Sequence, residues 1–173
     1  MTAHLDHYLR KELYGLVQSD PAIFDFLEKG SLDGVWYWDL TDTDHEWMSD
    51  RFWETFGYDP ATQPPRSSAW QHMVDPSDLQ RAIAMVQAHL ADPEHPYDIV
   101  IRYRHADGHT AWVRCRGVAI RDADGVPIRM LGAHQDITEL KQVEARLTHT
   151  VEQLAHVNEE LRRFAYAASH DIR

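Results

Sequence analysis

Three kinds of side chain in this sequence could do chemistry: twelve histidines, one cysteine and a dense set of aromatics that includes six tryptophans. His170 stands beside Asp171. An imidazole is a nucleophile when neutral, and an unperturbed pKa of ~6.5 leaves most of it neutral near pH 7. By position alone His170 reads as a solvated side chain near a helix end. His149 and His156 are seven positions apart, about 10 Å of helical rise, which is too far for two ligands of one ion. They too read as solvated, and no metal site is expected. Cys115 falls mid-strand in Trp112-Val-Arg-Cys115-Arg-Gly. A lone cysteine excludes an intrachain disulfide and a multi-Cys zinc site, fits a reducing compartment, and reads as an ordinary buried thiol. Trp36, Trp38, Trp53, Phe56, Trp70 and Trp112 read mostly as core. Of these, Trp36, Trp38, Phe56, Trp70 and Trp112 are the candidates to line a small ligand pocket between helices and a sheet. No Gly-rich phosphate loop and no nucleophile–base pair marks a free-standing enzyme.

The elements that must position these groups follow from composition and periodicity. The 173 residues suit one domain of about 100–150 residues plus an appendage, and 43% hydrophobic residues suffice for a core. The formal charge of −11 argues against general nucleic-acid binding, which needs clustered Lys and Arg. Residues 1–60 carry 4 basic and 13 acidic groups, a concentration that reads as a solvated face. No apolar run approaches the length of a membrane span and no signal peptide opens the chain, so a cytoplasmic protein is expected.

Leu5, Leu9, Leu13, Leu16 and Val17 predict a helix over 3–18. Asp20-Pro21 predicts the N-cap and first turn of a second, closed at Lys29-Gly30. So apolar a helical pair reads as a docking or dimerisation element. Residues 35–40 and 45–49 read as two strands around a TDTD turn. Two short helices follow, one within 51–60 closed by Gly57 and one over 67–74. Asp75-Pro76 then opens a longer one with the stripe Leu79, Ala82, Ile83, Val86, Leu90. Strands over Tyr97–Arg104, Ala111–Arg121 and Ile128–Ile137 complete an α+β domain with an antiparallel sheet. From Thr138 neither Gly nor Pro recurs. Leu140, Val143, Leu147, Thr150, Leu154, Val157, Leu161, Phe164, Ala168 and Asp171 keep alternating steps of three and four, interrupted by Thr150 and Asp171. A helix over 139–173 would run about 50 Å and could not bury that stripe itself, so a parallel dimeric coiled coil with a second copy is expected. His170 falls at heptad position c, beside the seam.

Three segments in order, LDGVWYWDL (32–40), RFWETFGYDP…WQHMVDPSDL (51–79) and YRHADGHTAWVRCRGVAIRDADGVPIRMLGAHQDIT (103–138), resemble a PAS domain of the PAS-3 kind. The resemblance implies a PAS fold over 31–138, an antiparallel five-stranded sheet with flanking helices. An N-terminal helical extension (1–30) precedes it and a coiled-coil helix (139–173) follows. Val74-Asp75-Pro76-Ser77-Asp78 departs from the His-Pro-Asp-Asp-like sequence usual there but keeps the cap and the proline. Asp136-Ile137-Thr138 matches the DIT triplet that leads such domains into a signalling helix. The match implies a signal junction in which Asp136 pairs with a basic or polar group on a neighbouring strand. Arg114 and Arg116 are both available, and Thr138 could cap the helix.

Residues 164–173 resemble the H-box of dimeric sensor histidine kinases. That resemblance implies that His170 is the phospho-acceptor and that Asp171 is the proton acceptor holding one ring nitrogen. The expected whole is a homodimeric PAS sensor module of a two-component kinase, inactive alone and working with an ATP-binding domain and a response regulator. A ligand-free PAS interaction module controlling another effector stays open as the alternative. For a cofactor, His72, His89 and His134 are the candidate haem ligands and a small metabolite is the other option. The Asn-Cys-Arg motif of a flavin–cysteine adduct is absent.

Overall fold

The computed structural model describes residues 8–170; Leu5 and Asp171 lie outside the described residues. Helices α1 (Tyr8–Ser19) and α2 (Pro21–Ser31) meet at Asp20, whose carboxylate accepts the Ala22 N–H at 3.0 Å. Gly30 does not end α2 as predicted. It is taken up as an ordinary helical residue, and the helix closes where Leu32 turns to extended backbone. Much of the apolar surface of this pair, including Leu9, Leu13, Tyr14 and Phe26, is exposed.

Strands β1 (Gly34–Asp39), β2 (Glu46–Met48), β3 (Tyr97–Arg104), β4 (Thr110–Arg121) and β5 (Pro127–Asp136) form one antiparallel sheet in the order β2-β1-β5-β4-β3. The two-residue period of strands sends alternate side chains to opposite faces. One face carries Trp36, Met48, Ile99, Ile101, Tyr103, Val113, Cys115 and Met130, all buried. The other carries Tyr37, Trp47, Val118 and Leu131, all exposed. Trp36 lies opposite Gly132, which in turn lies opposite Gly117. A Cβ built on Gly132 would sit 2.1 Å from the Trp36 ring, and one on Gly117 3.1 Å from it. The two glycines clear the floor on which this indole lies, and its ring meets Tyr97 edge-on at 6.1 Å.

Helices α3 (Asp50–Thr55), α4 (Ser68–Gln71) and α5 (Pro76–Ala91) accompany the buried face. Phe52 and Phe56 are fully buried, and Phe56 stacks on Tyr103 at 4.9 Å. Helix α4 is shorter than predicted, because Val74 leaves it to bridge to Tyr103. At the start of α5, Asp75 accepts the Ser77 N–H at 3.0 Å, as an N-cap does. Asp78 anchors the helix to β3 by accepting both the Arg102 backbone N–H (2.9 Å) and its Nε–H (2.7 Å). Those bonds hold the Asp78 carboxyl below the usual carboxylate range.

The chain divides into two compact units at Asp136/Ile137. The second is α6 (Thr138–His170), a helix of 33 residues. The Lys141 N–H donates to the Ile137 carbonyl at 2.9 Å, the first bond of the helix. Ile137 therefore holds the N-cap position and Thr138 the first helical one, a correction to the expectation that Thr138 caps. Leu140, Val143, Leu147, Leu154, Val157, Leu161 and Phe164 are all exposed along it.

Candidate functional site

Between α4, α5 and the inner face of the sheet lies a cavity of about 200 Å³. Trp36 and Trp38 of β1, Glu46 and Met48 of β2, Trp70 of α4 and Leu79, Ile83, Val86 and Leu90 of α5 line it. Tyr97, Ile101, Tyr103, Cys115 and His134 face it from the strands. Of the five predicted pocket aromatics, Trp36, Trp38 and Trp70 face it. Phe56 does not, because it is consumed in stacking on Tyr103 and packing on Phe52. Nor does Trp112, which strand alternation puts on the side opposite Val113 and Cys115, under the Arg102 guanidinium at 5.8 Å.

Two ionisable groups of the cavity, Glu46 and His134, are deeply buried, and Ser67, Gln71 and Gln87 are its neutral polar members. Glu46 is 6% exposed, and its Oε2 accepts the Trp70 Nε1–H at 2.8 Å. Burial raises its carboxyl to about 7 against the lowering effect of that bond and of the neighbouring Ser67 hydroxyl. The three residues of β2 leave open which side of that strand faces inward. Pairing with β1 decides it: Met48 faces Trp36, so Glu46 turns in and Trp47, 48% exposed, turns out. His134, a second buried group, has Nε2 at 3.2 Å from the Tyr103 hydroxyl, while its Nδ1 is buried without a partner. Desolvation drops this imidazole to about 3, so it is neutral throughout the physiological range. Burial pushes the Tyr97 and Tyr103 hydroxyls and the Cys115 thiol up, which leaves the thiol protonated and unreactive.

The three candidate haem histidines separate. His89 has Nδ1 on the His95 carbonyl and Nε2 accepting the Ala119 N–H at 3.0 Å, so both nitrogens are taken. His72 is exposed. His134 alone of the three lines the cavity, whose volume falls below the ~300 Å³ at which pockets for drug-sized ligands begin. The space suits a small molecule and not a macrocycle.

At the exit of the sheet, the Asp136 backbone N–H donates to Asp33 Oδ2 at 2.8 Å. The other Asp33 oxygen faces the Arg51 guanidinium at 3.5 Å, and the Asp33 N–H donates to the His134 carbonyl at 3.0 Å. Arg114, one of the two expected partners of Asp136, is instead held by Asp98 at 2.8 and 2.5 Å. Sequence reasoning missed Asp33, since nothing local marks an aspartate before a strand as the latch of a strand 103 positions later. His170 is the last residue of α6. Its side chain, like the whole of Asp171, lies outside the described residues.

The β3–β4 turn brings together a group that sequence reading did not single out. His105 Nδ1 and His109 Nδ1 approach Asp107 Oδ1 at 3.0 and 2.6 Å, and the two rings stack at 4.4 Å. Asp107 also accepts the His109 N–H at 3.0 Å, and these bonds hold its carboxyl down at about 2.

The profile of the PAS fold family matches residues 45–134, just over half of the chain. The chain belongs to the PAS fold family. The crystal structure of a sensory box histidine kinase/response regulator from Burkholderia thailandensis E264 superposes with a TM-score of 0.64 at 29% identity. It covers 77% of this chain and 98% of that one. The N-terminal domain of a diguanylate cyclase with PAS/PAC sensor from Marinobacter aquaeolei gives 0.54 at 17% identity, over 62% and 97%. In sequence, the probable diguanylate cyclase DgcE of Escherichia coli (strain K12) is 24% identical over 122 residues, 69% of this chain. This PAS chain spans 11% of the length of that relative. Among the described residues, no helix is long and apolar enough to cross a membrane.

Proposed function

We propose that this PAS chain is the sensory and dimerisation module of a two-component histidine kinase. Residues 1–30 serve as its helical extension, 31–138 as the sensing core and 139–173 as the signalling helix. A stimulus acts on the core, the Asp136-Ile137-Thr138 junction shifts, and α6 changes the presentation of His170 to a kinase's ATP-bound domain. In that step the neutral His170 attacks the γ-phosphorus of ATP, ADP leaves, and Asp171 holds the proton of the other ring nitrogen. The phosphoryl group then passes to a response regulator.

The observation that carries this reading is the seam of α6. Leu147 is 63% exposed and Phe164 74%, and the apolar residues between them keep heptad spacing. An exposed stripe of that length is stabilised by a second copy of itself, in parallel so that two His170 side chains lie side by side. The sensory box histidine kinase/response regulator structure, matched over nearly all of its length, supports the same parent.

The diguanylate cyclase relatives favour a second reading, in which the same core and coil drive a different effector. One assay separates the two. The chain is mixed with a cognate kinase ATP-binding domain and radiolabelled ATP, and acid-labile label on His170 is the expected result. Label that persists in His170→Gln, or no label on the wild type, overturns the kinase reading. Loss of signal dependence on Asp136→Ala in the full kinase is the expected sign of the junction's role.

A further inference from the structure

Glu46 is the anomaly of the cavity. An ionised carboxyl beneath apolar walls is costly unless it is paired. Among the described residues, no Lys, Arg or His forms an ion pair with Glu46. A carboxylate offers about four lone-pair sites. The fold supplies the Trp70 Nε1–H to one oxygen at 2.8 Å. The Ser67 hydroxyl, 2.7 Å from the Thr43 carbonyl, lies beside the carboxyl as a second hydrogen-bonding neighbour. These two neighbours are neutral, and among the described residues the cavity lining includes no Lys or Arg to balance the carboxylate when it ionises. Most of the rest of the lining is tryptophan, tyrosine and the aliphatic face of α5, surfaces that attract both hydrocarbon and positive charge, with Gln71 and Gln87 as neutral polar members.

Size narrows the occupant. A dry cavity of about 150 Å³ accepts benzene, so about 200 Å³ holds one six-membered ring with a tail of two or three atoms. We propose that the cavity is a receptor site for a small arylalkyl ammonium ion, its N–H groups on the Glu46 carboxylate and its ring against Trp36, Trp38 and Trp70. The proposal rests on the sensor reading and names the chemistry of its signal. The N–H donors of a primary ammonium suit the remaining oxygen sites, and its charge replaces the counter-ion that the fold omits. An anionic ligand would meet a like charge. A neutral one would bring no counter-charge to the ionised carboxyl.

The test compares three probes on the purified chain at pH 8 by calorimetry: phenethylamine, its neutral isostere 2-phenylethanol, and phenylacetate. Phenethylamine is expected to bind at least tenfold tighter than the alcohol, with phenylacetate weakest. Glu46→Gln is expected to weaken the amine at least tenfold while leaving the alcohol within about twofold, the alcohol reporting that the cavity is intact. Equal binding of amine and alcohol, or an amine affinity untouched by Glu46→Gln, overturns the cation assignment and leaves the sensor reading standing. No binding of the amine at about 10 mM overturns it as well, whatever the His170 phosphorylation assay returns. The amine–alcohol comparison needs no variant, so it decides the matter even where Glu46→Gln fails to fold.

Discussion

The carboxylate of Asp33, just before the first strand of the sheet, accepts the backbone N–H of Asp136, the last residue of its fifth strand, at 2.8 Å. Through its other oxygen Asp33 meets Arg51 of α3 at 3.5 Å, so one side chain ties the entrance of the sheet, a helix on its face and the point where the chain leaves it. A bond to a charged acceptor is worth about 1.5–3 kcal/mol. Asp33→Ala is therefore expected to speed hydrogen exchange of the Asp136 amide by about tenfold or more, with smaller changes in central β4. Exchange at Asp136 that matches wild type would show that this bond does not hold the sheet's exit.

Glu46 and His134 share a cavity and pull stability in opposite directions with pH. The folded state raises Glu46 from 4.5 to about 7. It therefore holds its proton more tightly than the unfolded chain, and stability is lost as pH rises from about 4.5 through 7. His134 falls from 6.5 to about 3, so the unfolded chain takes the proton first, and stability is lost as pH falls from about 6.5 towards 3. The two slopes oppose each other between about 4.5 and 6.5. Urea titrations of wild type are expected to be nearly flat there. Glu46→Gln exposes the histidine slope and gains up to ~3 kcal/mol relative to wild type on going from pH 4.5 to 8. A constant difference between the two proteins across that range would refute the assignment.

Gly132 carries Trp36. The Cβ of an alanine there would sit 2.1 Å from the indole, a contact that no small adjustment relieves. Gly132→Ala is expected to cost ~3 kcal/mol or more in a denaturant titration, beyond the usual range for over-packing. Trp36→Leu costs stability by its own cavity, but combined with Gly132→Ala it should recover most of the alanine's penalty. Strictly additive penalties would place the strain elsewhere.

Thr150 is the weak position of the α6 seam. Its hydroxyl turns back to the Arg146 carbonyl at 2.9 Å, as Ser and Thr do on a helix surface, and offers a partner little apolar area. Under the proposed coiled coil, Thr150→Leu should tighten self-association in sedimentation equilibrium by about tenfold, and Leu154→Asp should abolish it. A chain that stays monomeric with either residue at 150 contradicts the dimer.

Alternating hydropathy, the Asp75-Pro76 cap and the two Asp-Gly turns made strands, hairpins and α5 legible in order, because each is dictated within a few residues. The heptad stripe of α6 was legible for the same reason: helical periodicity is local and needs no partner to be read. Which face of β2 points inward was not. Glu46 and Trp47 exchange places if the strand slips by one residue, and only pairing with β1 forbids the slip. Trp112 and Phe56 left the predicted pocket on similar grounds, one by the parity of β4 and the other by stacking on a tyrosine of β3. The latch on Asp136 came from a residue 103 positions away. The sequence by itself determined the elements, their order and the PAS resemblance. Only the tertiary structure decided which polar groups are buried together, since burial and register are set by contacts between strands that no short window of sequence contains.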